Sequence, residues 1–237
     1  MRRAVFFDLD GTLLPIDMEA FSQAYFKQIN KNGLFEKIDD KQGSNIFGKA
    51  IYAMLNNQGQ KLNCDVFFDE IEAHTQTARE ELVSHMDGFY TNEFLHVREC
   101  TRSDERVLSA VRQLKHKGYR LILATNPLFP RVATNTRIAW AGLEPGDFEY
   151  ISYYDNSHYC KPNPKYFIEI LNRLELKASE CYIVGNDIVE DMGAVALGFK
   201  GFLVLDHVIG DLKKVPQCEQ GNYSDLLRFA ENLSQAI

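Results

Sequence analysis

Short apolar runs recur along the chain, each ending abruptly in polar residues and separated from the next by longer amphipathic stretches. Ala4–Phe7, Arg120–Ala124, Cys181–Val184 and Gly201–Leu205 are rich in branched and aromatic residues and do not alternate with polar ones. That is the pattern of parallel strands covered on both faces. Phe148–Ser152 reads as a weaker fifth strand. Ser103–Lys117 places apolar residues at Val107, Leu108, Val111 and Leu114, with Ser103 positioned to cap the helix and Gly118 to close it. Pro164–Leu174 and Ile188–Leu197 read as helices in the same way. Strands alternating with helices predict a doubly wound α/β layer whose site lies at the carboxyl ends of the strands.

The interval 16–97 has a different character. Met18–Asn30, Ser44–Gln58 and Asp65–Ser84 carry helical patterns, no buried strand intervenes, and Asn32-Gly33, Asn56–Gly59 and Asp87-Gly88 punctuate them. This segment is expected to form a helical insertion between the first and second strands. The core is then 1–15 with 98–237. The alternative is that these helices pack on the sheet as part of one domain.

Composition narrows the class. Over 237 residues the formal charge is −7 and the sequence is 45% hydrophobic, which disfavours a general nucleic-acid or acidic-membrane binder. Five scattered cysteines without a CxxC pair point to a reducing compartment, taken as the cytoplasm. The N-terminal apolar run is too short for a signal h-region, and no stretch approaches the roughly 18 apolar residues of a membrane span.

Candidate chemistry sits at the strand exits. The first strand runs into Asp8 and Asp10, the second into Thr125 and Asn126, and the Cys181–Val184 strand into Asp187, with Asp191 four residues on. Lys161 precedes Pro162 in a loop stiffened by two prolines. Each signal alone has a plainer reading: a turn at Asp10-Gly11, a helix cap at Thr125-Asn126, a surface lysine, an acid favouring a helix start. If the strands are parallel, all of them converge on one crevice. Clustered carboxylates without His or Cys suit a hard cation such as Mg²⁺, which also relieves the repulsion between Asp8 and its neighbours. Asp8 could then attack phosphorus as a nucleophile while Asp10 exchanges protons with the leaving oxygen and the hydrolytic water. Thr125, Asn126 and Lys161 would bind the phosphoryl oxygens.

The series FFDLDGT, ATN, KPNP and GND-x3-D resembles the motifs of the haloacid dehalogenase-like hydrolase superfamily, over about the first 15 residues and from Ser103 onward. The resemblance implies a Rossmann-like three-layer core with a central parallel sheet, a helical cap inserted after the first motif, Asp8 as nucleophile and Asp10 as acid/base. It also implies magnesium bound by Asp8, the Asp10 backbone carbonyl and Asp187, with Asp191 a second ligand or an outer acid. One departure stands out. Asn186 intervenes between Gly185 and Asp187, so either could occupy the metal position. An aspartate at position 10 fits phosphate-ester chemistry better than dehalogenation. The expected activity is a Mg²⁺-dependent phosphatase for a small phosphorylated metabolite. A sugar-phosphate mutase and a non-catalytic phospho-ligand-binding protein are the alternatives. In the cap, Phe47, Lys49 and Tyr52 are candidate substrate contacts, while Lys27, Lys37 and Arg79 read as solvated charges.

Overall fold

The computed structural model describes residues 3–31, 40–75 and 77–236. Its centre is a six-stranded, wholly parallel sheet in the order β3-β2-β1-β4-β5-β6. The strands are β1 (Ala4–Phe7), β2 (Arg120–Leu123), β3 (Tyr150–Ile151), β4 (Cys181–Gly185), β5 (Lys200–Val204) and β6 (Glu219–Gly221). The sixth strand was not expected: Glu219 and Gln220 are exposed at the sheet edge, so no apolar run marks it.

Alternation along β1 explains the layering. Ala4 and Phe6 point into one apolar cluster with α7 (Pro164–Leu174) and Met192, whereas Val5 and Phe7 point into another. The second cluster holds α5 (Glu105–His116), α6 (Arg131–Trp140) and α8 (Tyr223–Asn232). Both faces are therefore dry, as parallel strands require. Helix α5 is capped by Asp104, which accepts from the Arg106 N–H, and not by Ser103. The expected helix over 188–197 is a turn followed by a short 3₁₀ helix, Met192–Leu197.

The insertion comprises α1 (Met18–Lys31), α2 (Asp40–Leu55), α3 (Asn63–Thr75), α4 (Arg79–Thr91) and a 3₁₀ segment, Glu93–Cys100. The single helix expected over Asp65–Ser84 is broken into α3 and α4. Asn32, Gly33 and Lys37 lie outside the described residues. Phe21, Tyr25, Phe47, Phe67, Phe89 and Phe94 form its aromatic interior, which is continuous with the core cluster through Trp140 and Phe129. Two junctions tie it to the core. Its connecting segments pair through an isolated Ile16–Thr101 bridge, and the first turn of α3 donates to Tyr154 O and Ser157 O at 3.0 and 2.9 Å.

Candidate active site

Strand register assembles the site. Phe7 lies opposite both Leu123 and Val184, so the residues that follow leave the sheet at one level. The Asp8 N–H donates to Val184 O at 2.9 Å, and Ala124 N–H to Phe7 O at 2.7 Å. Asp8, Asp10, Thr125, Asn126, Asn186, Asp187, Glu190 and Asp191 thereby line one cavity of about 240 Å³, completed by Met18, Leu128, Phe129 and Ile209. The convergence expected from the strand exits is present for the carboxylates and for Thr125.

Lys161 lies beneath this cavity, its side chain 1% exposed. Its ammonium donates to Asp8 Oδ1 at 2.8 Å and to Asp191 Oδ1 at 2.6 Å. Burial alone would lower its pKa, but Asp191 and Asp8 hold it well above the usual range. Burial also raises the Asp8 carboxyl, with Lys161 opposing. Asp191 is pushed up to about 7, again by burial against the pull of Lys161.

Both oxygens of Asp191 are engaged, because Oδ2 accepts from the Asn186 and Asp187 N–H groups at 3.1 and 3.0 Å. Asp191 thus orients the β4 loop and Lys161, and of its two expected roles, second ligand or outer acid, these contacts are those of the outer acid. A Cβ at Gly185 would overlap its carboxylate, so glycine is required for this close approach.

Asn186 and Asp187 take different directions. The Asn186 amide oxygen accepts from Thr12 Oγ1 at 2.9 Å, and its nitrogen donates to His207 O at 2.7 Å. Gly11, at φ +83°, makes room for that amide. Asn186 therefore ties the β1 loop to the segment after β5. Asp187 Oδ1 accepts from the Val189 and Glu190 N–H groups at 2.7 and 2.8 Å and closes its own turn. Among the described residues, no three His, Cys, Asp or Glu side chains are gathered closely enough to hold a metal ion. The donors that face the cavity are nevertheless oxygens, the ligand type Mg²⁺ takes.

Asn126, expected at the phosphate, has other partners. Its oxygen accepts from the Lys161 N–H at 3.1 Å, and its nitrogen donates to Lys161 O at 3.3 Å and Glu190 Oε2 at 3.0 Å. It clamps the lysine loop to the β4 loop. Glu190 lines the cavity beside it, with burial raising its carboxyl pKa.

Arg137 was not anticipated. It sits on α6 with its side chain 1% exposed, pairs with Asp10 Oδ2, and has its guanidinium 4.2 Å from the Phe129 ring centroid. Asp10 Oδ1 and Arg137 Nε are buried without a partner among the described residues. Burial raises the Asp10 carboxyl, against which Arg137 and then Lys161 act. A sequence signal existed. Ala133, Thr134, Arg137, Ile138 and Trp140 all turn inward on α6, so a charge sits on a buried, mostly apolar stripe.

The cap candidates fall elsewhere. Phe47 is buried in the insertion, Tyr52 is 68% exposed, and Lys49 lies 3.4 Å from His74 Nε2. Lys27 is exposed as expected, whereas Arg79 pairs with Asp65, Asp69 and Glu72. Among the described insertion residues, Met18 is the one that reaches the cavity.

Known structures share this fold at low identity. An HAD phosphatase from Thermococcus onnurineus aligns with a TM-score of 0.62 and 19% identity, covering 99% of this chain and 100% of that one. A 2-haloacid dehalogenase from Pseudomonas syringae pv. Tomato DC3000 gives 0.63 and 22%, over 96% and 97%. A HAD-hydrolase of Bacillus subtilis, YfnB, described as bound to magnesium, gives 0.57 and 18%, over 97% and 99%. These likenesses establish the fold. No curated protein matches the chain. The family profile described as haloacid dehalogenase-like hydrolase matches residues 2–198, and on that match, with the sheet and strand-exit carboxylates in place, the chain belongs to the haloacid dehalogenase-like hydrolases.

Proposed function

We propose that this hydrolase is a Mg²⁺-dependent phosphatase acting on a small phosphorylated metabolite through an aspartyl-phosphate on Asp8, in the cytoplasm. The observation that carries the reading is the pair of aspartates on one cavity, each matched to its own buried cation. Lys161 fixes Asp8 by Oδ1 and so orients the carboxylate for in-line attack. Asp8 forms a bond to phosphorus as the bond to the leaving alkoxide breaks, and Asp10 supplies that oxygen's proton. Water then attacks phosphorus, Asp10 accepts its proton, and inorganic phosphate leaves Asp8 free. Burial favours the protonated Asp10 needed first, and Arg137 favours the ionised form needed second.

Thr125 is 3% exposed on the cavity wall, where its hydroxyl can donate to a phosphoryl oxygen. Oxygen donors suited to magnesium are Asp8, the Asp10 backbone carbonyl and Asp187. Asp187 is favoured over Asn186, whose amide is engaged at both ends. Bound there, the ion would offset phosphoryl charge. A dehalogenase has no evident use for the Asp10–Arg137 pair. The test is release of inorganic phosphate from a panel of phosphate monoesters with Mg²⁺ and with EDTA. Release with Mg²⁺ alone is expected; halide release from a 2-haloacid with inert phosphate esters would contradict it.

A further inference from the structure

The lysine that holds Asp8 comes from a long connection. Residues 152–163 join β3 to α7 without helix or strand, and such a stretch samples many conformations unless something fixes it. Lys161 cannot tolerate that freedom, because its ammonium meets Asp8 and Asp191 at 2.8 and 2.6 Å at once. From the β2 side Asn126 clamps the Lys161 backbone. The insertion grips the same connection elsewhere. The Asn63 and Cys64 N–H groups donate to Ser157 O and Tyr154 O, and Gly59, at φ +84°, approaches Tyr159 so closely that a Cβ would overlap its ring.

Asn63 is the centre of this grip. It opens α3 and is fully buried. Its Nδ2 donates toward Pro127 O at 3.4 Å, Tyr159 O at 3.5 Å and Cys160 Sγ at 3.3 Å. Its Oδ1 accepts from Asn57 Nδ2 at 2.8 Å, which fixes the orientation of the amide. Pro127 adjoins Asn126 and Cys160 adjoins Lys161, so one side chain of the insertion sits between the β2 loop and the lysine loop. Two amide hydrogens shared among three acceptors give long bonds, yet deleting the amide leaves those buried groups without their donor. We infer that Asn63 is a positioning residue for Lys161: it fixes the lysine loop against the β2 loop, so that the ammonium reaches Asp8. The kinetic part of the inference rests on the phosphatase reading. Beyond that reading, it makes the insertion part of the mounting of the nucleophile and not only a cover over the cavity.

Asn63→Ala tests this, with Ile71→Val, which trims the buried face of the same helix, as the control. Two readouts are taken with Mg²⁺: hydrogen exchange of backbone 153–163 by mass spectrometry, and kcat on p-nitrophenyl phosphate and an alkyl phosphate. Asn63→Ala should speed exchange in that segment and lower kcat about tenfold on both esters alike, since it loosens the nucleophile's mounting and not the proton supply. Ile71→Val should keep both readouts within about twofold of the natural chain. Asn57→Ala removes the partner of the Asn63 Oδ1 and should shift both readouts the same way by less; it decides the matter if Asn63→Ala does not fold. Natural exchange or natural kcat in Asn63→Ala, or equal effects from Ile71→Val, overturns the inference and leaves the phosphatase standing. If the natural chain hydrolyses no phosphate ester, the phosphatase reading fails and exchange alone decides: faster exchange confined to the Asn63 and Asn57 variants upholds the positioning of the lysine loop, and unchanged exchange overturns it.

Discussion

Two buried cations serve two aspartates only two residues apart, and they do so differently. Lys161 is the more fully partnered site: its ammonium bridges Asp8 and Asp191, and the second oxygen of Asp191 is held by two backbone N–H groups. Arg137 is an unsaturated one, with Nε and Asp10 Oδ1 both lacking partners among the described residues and an aromatic face covering the guanidinium. A closed hydrogen-bond network fixes geometry, whereas an open one leaves capacity for a group that arrives later. In the proposed mechanism Asp8, as nucleophile, is held by Lys161, while Asp10, as acid/base, keeps one oxygen without a partner among the described residues for the leaving group and then for water.

The comparison breaks first at the lysine. Lys161→Met leaves Asp8 and Asp191 buried without their cation, and should cost about 3–5 kcal/mol of stability by urea denaturation. Activity should fall below detection. Arg137→Met should cost less, about 2–3 kcal/mol, because it strands one buried carboxylate where the lysine variant strands two. Its kinetic signature should depend on the leaving group. Hydrolysis of an alkyl phosphate should drop about 100-fold and that of p-nitrophenyl phosphate far less, since nitrophenolate needs no proton. Equal losses on both substrates would assign Arg137 to general scaffolding.

Proton linkage separates the two sites more finely. Asp191, raised from 3.8 to about 7, is protonated more readily in the folded state. Its contribution to stability is therefore full below about pH 4 and declines as pH rises toward 7. The carboxyls lowered by ion pairs, such as Asp104 and Asp147, change only below that window. His207, lowered by burial, works oppositely, losing stability as pH falls below its usual 6.5. Comparing thermal midpoints between pH 4.5 and 7.5 for the natural chain and Asp191→Asn isolates the first effect. The natural chain should lose more stability than the variant as pH rises.

The smallest expected effect lies in the loop. Asn186→Ala leaves Thr12 Oγ1 and His207 O without their present partner and should cost about 1–2 kcal/mol by denaturation. A larger loss of Mg²⁺ affinity than of stability would instead place Asn186 at the ion.

These contrasts also show what sequence makes legible. Five of the six strands, their exits and Lys161 were readable because each signal is local: an apolar run, then polar residues, or a lysine fixed by prolines. Arg137 was not, since its partner lies 127 positions away and its only local sign is a charge on an apolar helical stripe. Asp187 and Asn126 resist reading for another reason. Asn and Asp hydrogen-bond backbone as readily as they bind ligands, and only the fold shows which use is made. The insertion was recognisable as helical, but its aromatic interior merges with the core through Phe129 and Trp140. A periodic pattern shows that a face is buried without showing against what.

The central claim is covalent catalysis at Asp8, and trapping the intermediate tests it most directly. The protein would be mixed with a ³²P-labelled monoester and Mg²⁺, quenched in acid within milliseconds, digested, and the labelled peptide identified by mass spectrometry. The account predicts an acyl phosphate on the peptide containing Asp8, labile to hydroxylamine and absent from Asp8→Asn, which should release no phosphate. Turnover by Asp8→Asn at the natural rate, or label on any other residue, would contradict it.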